Sequence, residues 1–408
     1  PQKNMPLPIA ITSAKGTLLY DENNNTYIDA ISSWWVTLHG HSHPYIAEKL
    51  YRQALQLEHV IFAGFTHKPA VELAERLLEI LPSHFSKIFY SDNGSTSTEV
   101  ALKMAIQFWW NQTSRIKNQE SRIKILAFNN SYHGDTFGAM SVSDRSVFTL
   151  AFHNLLFEVI FIDVPDENNI YETKQKIEHH AEQIAAFIFE PLVQGAGGMK
   201  MYDAFWMNEL LKYVQNQNII CIADEVMTGF GRTGKFFASE YMQYKPDIMC
   251  LSKGLTGGTM ALGVTACSQK IYEAFLVDDK LKTFFHGHSF TANPLACTAA
   301  LASLDLWFEN NCIETISWIE QQNKLLLQRL AQKKNIKNLR LLGTIAAFEI
   351  TEGEDEYLNN ISTIITSRCL EQGVYIRPLG NTVYLMPPYC ITQNQLNKVY
   401  DVIIGLVD

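Results

Sequence analysis

Three stretches of the sequence drive a β-rich apolar run into residues that can do chemistry. In the first, Ile219-Ile220-Cys221-Ile222-Ala223 runs directly into Asp224 and Glu225. A carboxylate at the end of such a strand is costly unless a cation meets it. A salt bridge, a divalent metal ion and a protonated ring nitrogen would each meet that demand. In the second, Ile248-Met249-Cys250-Leu251 ends at Ser252 and Lys253, with Gly254, Gly257 and Gly258 behind. Lysine is among the residues least often buried. This one is therefore either a surface group after an edge strand or an amine that forms a Schiff base and swings on flexible glycines to carry protons. The third is Tyr90-Ser91-Asp92-Asn93-Gly94-Ser95, followed by Thr96-Ser97-Thr98-Glu99 and a periodic helical pattern. Small hydroxyl residues with a glycine at a helix start are ordinary caps, and the same free N–H groups can hold a phosphate. Taken together, a phosphate cradle, a carboxylate for a pyridinium and a Schiff-base lysine describe a pyridoxal 5'-phosphate site.

The elements that must position these residues form an α/β pattern. Strand candidates at Lys87–Tyr90, Ile123–Phe128, Ala186–Phe189, Ile219–Ala223, Ile248–Leu251 and Leu262–Cys267 alternate with helical segments such as Ser95–Trp110 and Asp203–Gln217. Most of the strands are apolar without alternation, as expected for a mostly parallel sheet covered on both faces. Ligands of such sheets sit at the carboxyl ends of the strands. After about Asn310 the texture changes to helices at Ile313–Lys333 and Glu356–Gln372 around strands at Thr344–Ile350, Val374–Arg377 and Thr382–Met386, which reads as a smaller α+β lobe. The first forty residues, with a turn at Asp21–Asn25 before Thr26–Ile31, can join that lobe. The expected domains are therefore 44–309, which binds the cofactor, and 1–43 with 310–408. Glu352–Glu356 reads as a solvated acidic loop.

Ala223–Gly234 and Leu251–Gly254 resemble the class III, fold-type I aminotransferases. Four further segments are similar to one branch of that class, the adenosylmethionine–8-amino-7-oxononanoate aminotransferases of biotin synthesis. They are Ser32–Trp35 with His39-Gly40-His41, Ser131–Met140, Val193–Met199, and Ile376-Arg377-Pro378 with Tyr384–Tyr389. The resemblance implies the fold of pyridoxal-phosphate-dependent transferases of fold type I, a homodimer, and transfer of an amino group from S-adenosylmethionine to 8-amino-7-oxononanoate. Within it, Lys253 resembles the lysine bonded to the cofactor, Asp224 the partner of the pyridine nitrogen, and Gly94 and Ser95 the phosphate cradle. Tyr132 resembles the aromatic over the cofactor, and Trp34, with Trp35 beside it, the lining of the substrate pocket. Arg377 resembles the partner of the keto acid's carboxylate. Phe285–Thr291, with Gly287, His288 and Ser289, resembles the loop that reaches the neighbouring subunit's cofactor phosphate and borders its substrate. The family commonly has threonine where Ser289 stands and often proline where His288 stands. Lysine as donor, or an ω-amino acid substrate, belongs to enzymes sharing most of these motifs; Trp34-Trp35 with Tyr132 argues against a generic ω-transaminase.

Other classes are excluded on the residues. No Gly-x-Gly-x-x-Gly turn follows an early strand, as a nicotinamide-dependent dehydrogenase requires. The alternating histidines at 39, 41 and 43 and at 286 and 288 lack carboxylate or cysteine partners at zinc spacings. With 33 basic against 42 acidic residues and no basic stripe, nucleic acid is not an expected partner. A composition of 47% hydrophobic and 18% charged residues argues for a folded core. Seven scattered cysteines read as buried free thiols of a reducing cytoplasm. No apolar stretch reaches membrane-spanning length and no signal pattern leads the chain, so a soluble, non-exported protein is expected.

Overall fold

The computed structural model describes residues 7–112, 122–147, 149–351 and 361–407. The chain divides into two compact units, Lys49–Asp305 and the pair of end segments Pro1–Glu48 and Leu306–Asp408.

The first unit is built on a seven-stranded sheet in the order Phe85–Ser91, Gly263–Ser268, Ile248–Leu251, Ile220–Asp224, Ile184–Phe189, Lys124–Phe128, Val159–Ile162. Pairing is parallel through the last five strands, whereas Gly263–Ser268 runs antiparallel to both its neighbours. Alternation along each strand explains why the runs are apolar throughout. Ile125, Ala127, Ile220 and Ile222 face a core with Val100, Ala101 and Ala105 of the helix Gly94–Gln112. Leu126, Phe128, Cys221 and Ala223 face the other core, with Met207, Leu210, Leu211 and Val214 of the helix Ala204–Asn216. Those four residues recur at i, i+3, i+4 and i+7, and the Asp203 carboxylate caps the helix by accepting from the Phe205 N–H at 2.6 Å. Val159–Ile162 has no counterpart among the expected strands. Its four apolar residues form the sheet edge beside Lys124–Phe128, a run too short for periodicity to separate it from a loop.

The second unit carries a four-stranded sheet, Ile11–Lys15, Leu18–Asp21, Thr26–Asp29 and Val374–Tyr375, and a three-stranded one, Ile336–Leu342, Ile345–Ile350 and Thr382–Leu385. The expected turn forms because Asp21 Oδ1 accepts from the Asn23 and Asn25 N–H groups at 2.9 and 2.8 Å. Two strands end early. Thr26–Asp29 stops where the Asp29 carboxylate takes the Ile31 N–H, and Val374–Tyr375 stops ahead of Arg377, before Pro378, which has no N–H to continue a ladder. The helix Ile361–Glu371 occupies the later part of the expected Glu356–Gln372, whose start, with the acidic stretch 352–356, lies outside the described residues. Six cysteines are buried, but Cys390 is exposed, on the segment after Pro388.

Candidate active site

Asp224 and Lys253 come from neighbouring parallel strands. Asp224 is in register with Cys250, so the acid and the amine leave the sheet at adjacent carboxyl ends. Lys253 sits at φ 46° and opens a single 3-10 turn that closes on Gly257 at φ 61°. A left-handed conformation is unfavourable for a side-chain-bearing residue and is found where function demands a particular backbone direction. Burial pushes the Lys253 amine down to about 8; Asp224 and then Glu190 pull it upward, and Arg232 pushes it down again. Such an amine sheds its proton far more readily than a surface lysine.

The two acids at the end of Ile220–Asp224 separate in role. Glu225 is fully enclosed and accepts from Thr228 Oγ1 at 2.5 Å and from the Ala238 and Ser239 N–H groups at 3.1 and 2.6 Å, which accounts for it structurally. Asp224 accepts from the Val226 N–H at 3.1 Å, and its other oxygen meets His133 Nδ1 at 2.7 Å. Both side chains of the pair are buried, and His133 Nε2 is enclosed without a hydrogen-bond partner.

Close backbone approaches bring two more loops to these strand ends. A Cβ on Gly94 would meet Val226 Cγ1 at 2.8 Å and Ser252 Cβ at 3.6 Å, so only glycine lets the start of the helix Gly94–Gln112 lie against the loops after Asp224 and before Lys253. Gly134, at φ 131°, passes so near Ser95 that a Cβ would fall 2.2 Å from its Oγ, and that Oγ accepts from the Asp135 N–H at 3.3 Å. The segment holding Tyr132 is pinned further along, where Glu99 Oε1 accepts from Thr136 Oγ1 at 2.5 Å and from the Gly138 and Ala139 N–H groups at 2.7 and 3.0 Å.

These residues fit pyridoxal 5'-phosphate. A helix N-terminus with Gly94 and Ser95 offers an anion site, Asp224 offers a buried negative charge for a ring nitrogen, and Lys253 offers a poised amine. The narrowness of the cradle, where a single methyl on Gly94 would collide with Val226, belongs to the same fit. Of the loop read as serving a neighbouring subunit, His288 Nδ1 pairs with Asp92 Oδ2 at 2.7 Å and its Nε2 lies 2.8 Å from His286 Nε2, while Gly287 and Ser289 are exposed.

The other unit assembles Trp34, Trp35 and Arg377. Ser32, Ser33, Trp34 and Trp35 all have positive φ, at 51°, 44°, 75° and 72°. A left-handed turn of L-residues costs about 1–2 kcal/mol per residue, and here it is held at both ends. Ser32 Oγ donates to the Met386 carbonyl and Ser33 Oγ to Asp29 Oδ2, each at 2.7 Å, and Trp35 Nε1 donates to the Tyr384 hydroxyl at 2.9 Å. Burial raises the Asp29 carboxyl, but His41 and Ser33 outweigh it and leave the group below its usual range. Trp35 is thereby buried, and Trp34, 48% exposed, presents its ring to the Arg377 guanidinium at 4.4 Å. A cation held over an indole face is oriented without being neutralised.

Sequence reasoning missed His133 and Glu190. Glu190 follows the apolar run Ile184–Phe189 just as Asp224 ends its own strand, so the same search of strand ends could have found it. His133 lies 91 positions from Asp224, and no local pattern joins them.

The profile described as "Aminotransferase class-III" matches residues 1–407. The chain belongs to the class III aminotransferases. Among similar proteins, the adenosylmethionine-8-amino-7-oxononanoate aminotransferase of Synechococcus elongatus is 45% identical, covering 100% of this chain and 96% of the relative. The Helicobacter pylori protein of that name is 40% identical, covering 100% and 93%. Among solved structures, the enzyme of the same name from Methanocaldococcus jannaschii superposes with a TM-score of 0.91 at 34% identity, covering 98% of this chain and 94% of that one. An amine transaminase from an uncultivated Pseudomonas species, solved with pyridoxal phosphate bound, gives 0.92 at 27% identity, covering 100% and 97%. This class III aminotransferase accordingly has the α/β fold of the pyridoxal-phosphate-dependent transferases and depends on that cofactor. Among its described residues no helix is long and apolar enough to cross a membrane.

Proposed function

We propose that this aminotransferase moves an amino group from S-adenosylmethionine to 8-amino-7-oxononanoate, giving 7,8-diaminononanoate for biotin synthesis. The observation that carries the reading is full-length identity of 45% to an enzyme named for those two substrates, with Trp34 and Arg377 paired at 4.4 Å in this chain. In the proposal, residues 44–309 form the cofactor-binding domain and residues 1–43 with 310–408 the small domain. Six buried thiols free of disulfides support a cytoplasmic setting.

Bound at these strand ends, pyridoxal 5'-phosphate supplies a carbonyl carbon that exchanges amines and a ring that accepts electron density from a deprotonated carbon. The chain does the rest. Gly94 and Ser95 would hold the phosphate at the helix N-terminus, Tyr132 would flank the ring, and Asp224, oriented by His133, would keep the ring nitrogen protonated. With the donor seated, the Lys253 Nζ would take a proton from the donor's amine-bearing carbon and deliver it to the carbon on the far side of the amine nitrogen. In the second half-reaction it moves a proton in the reverse direction, so one group serves as base and acid. Trp34 lines the pocket with the buried Trp35 packed behind it, and Arg377 receives the carboxylate of the keto acid. Supplying purified protein with S-adenosylmethionine, lysine or an ω-amino acid and following conversion of the bound cofactor to its amine form tests the donor. Conversion by lysine or the ω-amino acid, but not by S-adenosylmethionine, would overturn it.

Arg377→Ala is expected to weaken the keto acid by roughly 10- to 150-fold, because a charge-assisted bidentate contact contributes about 1.5–3 kcal/mol. The amino donor should change far less. Half-saturation measured for each substrate separately checks this, and a defect confined to the donor would remove Arg377 from the role.

The proposal includes a homodimer in which Gly287, His288 and Ser289 of one subunit complete the phosphate site of the other. Ser289→Ala is expected to loosen the cofactor by about tenfold, since a charged oxygen loses a donor, and to make its retention depend on protein concentration. Sedimentation combined with cofactor absorbance measures both; an active, cofactor-saturated monomer would falsify the arrangement.

A further inference from the structure

Glu190 has no part in the chemistry above, yet it is 5% exposed and lies at the end of the strand beside Asp224's. A buried carboxyl is retained only where its oxygens are satisfied. Here they join two loops: Oε1 accepts from the Tyr132 N–H at 3.1 Å, and Oε2 from the Gly195 N–H at 2.9 Å. The Tyr202 hydroxyl donates to the Glu190 carbonyl at 2.5 Å, which fixes the backbone from which the carboxyl reaches out. The next residue along from Tyr132 is itself held twice, by its N–H to Ser143 Oγ at 2.9 Å and by His133 Nδ1 to Asp224 at 2.7 Å.

We propose that Glu190 is a positioning residue, which fixes the Tyr132 backbone beside the Asp224 strand end and keeps a buried negative charge within range of the Lys253 amine. This rests on the aminotransferase reading. The charged and titratable groups that bear on the cluster are His133, Asp224, Lys253, Tyr202, Glu225 and Arg232. Burial pushes Glu190 up to about 7; His133 and the two N–H groups oppose the rise, and Asp224 adds to it. Above that pH the ionised carboxylate is second only to Asp224 in holding a proton on Lys253. One side chain thus contributes both to the tyrosine's location and to the lysine's basicity.

The test labels Lys253 with trace acetic anhydride in the cofactor-stripped full chain across pH, read by mass spectrometry, beside steady-state kinetics of the loaded enzyme. Glu190→Gln removes the charge and is expected to lower the labelling midpoint by about half a unit or more. Glu190→Asp keeps the charge but is too short to bridge both N–H groups, so the midpoint should stay while kcat falls about tenfold or more through misplacement of Tyr132. A purely structural role predicts instead an unshifted midpoint in both variants, and an unshifted midpoint in folded E190Q overturns the proposal. Should E190Q not fold, E190D decides: a wild-type kcat overturns the proposal, and a reduced kcat in a chain whose thermal midpoint stays at the wild-type value supports it. Labelling needs no turnover, so a midpoint shift in E190Q alongside a wild-type chain that does not accept S-adenosylmethionine would overturn the proposed substrates and leave this proposal standing.

Discussion

Lys253→Ala is expected to abolish turnover and the visible absorbance of the bound cofactor together. The loss should be at least the roughly 10²- to 10⁴-fold that a positioned proton carrier contributes, and larger because the same amine makes the covalent link. Lys253 is the amine placed at the carboxyl end of Ile248–Leu251, next to Asp224, and its proton affinity is brought down to about 8 by burial. The measurement is reduction with borohydride followed by peptide mapping. A trapped cofactor in the Lys253→Ala protein would show that another lysine forms the link.

Asp224→Asn is expected to lower kcat by about 10²- to 10⁴-fold while leaving the fold and the KM of the donor little changed. Asparagine keeps the shape but not the charge, and losing one preorganised electrostatic contact at the reacting group typically costs about 10²- to 10³-fold or more in kcat. His133 Nδ1 would then face an amide instead of the carboxylate it meets at 2.7 Å. The pH consequence has a definite sign. Asp224 is the strongest of the influences that raise Lys253, so its loss should move the lysine midpoint below about 8 and extend the free-amine form to lower pH. A kcat within threefold of wild type would displace Asp224 from the ring-nitrogen role.

Asp224 and Lys253 were legible in the sequence because each interrupts an apolar strand. Burial of a run such as Ile219–Ala223 or Ile248–Leu251 is a local property of its side chains, so a charged residue placed at its end stands out without any knowledge of neighbours. The start of the helix Gly94–Gln112 and the turn after Asp21 were legible for the same reason, since capping and turn chemistry act within four residues. The length of the Ile11–Lys15 and Leu18–Asp21 hairpin was not, because five exposed or half-buried residues carry no apolar signature. Neither was the antiparallel course of Gly263–Ser268, whose apolar run looks like its parallel neighbours.

The other features depend on partners far apart in the chain. The left-handed turn Ser32–Trp35 exists because Met386 and Tyr384 accept its Ser32 and Trp35 donors across about 350 positions, offsetting a backbone conformation that those residues disfavour by themselves. The Arg377 guanidinium lies over Trp34, His133 orients Asp224, and Glu190 reaches Tyr132 across 58 positions. Burial and capping are written into consecutive residues, whereas these pairings form only after packing has brought remote segments together and excluded the water that would otherwise satisfy them. The sequence by itself determined which groups stand at the strand ends; tertiary structure decided which of them touch, and with that the orientation of the acid and the proton affinity of the amine.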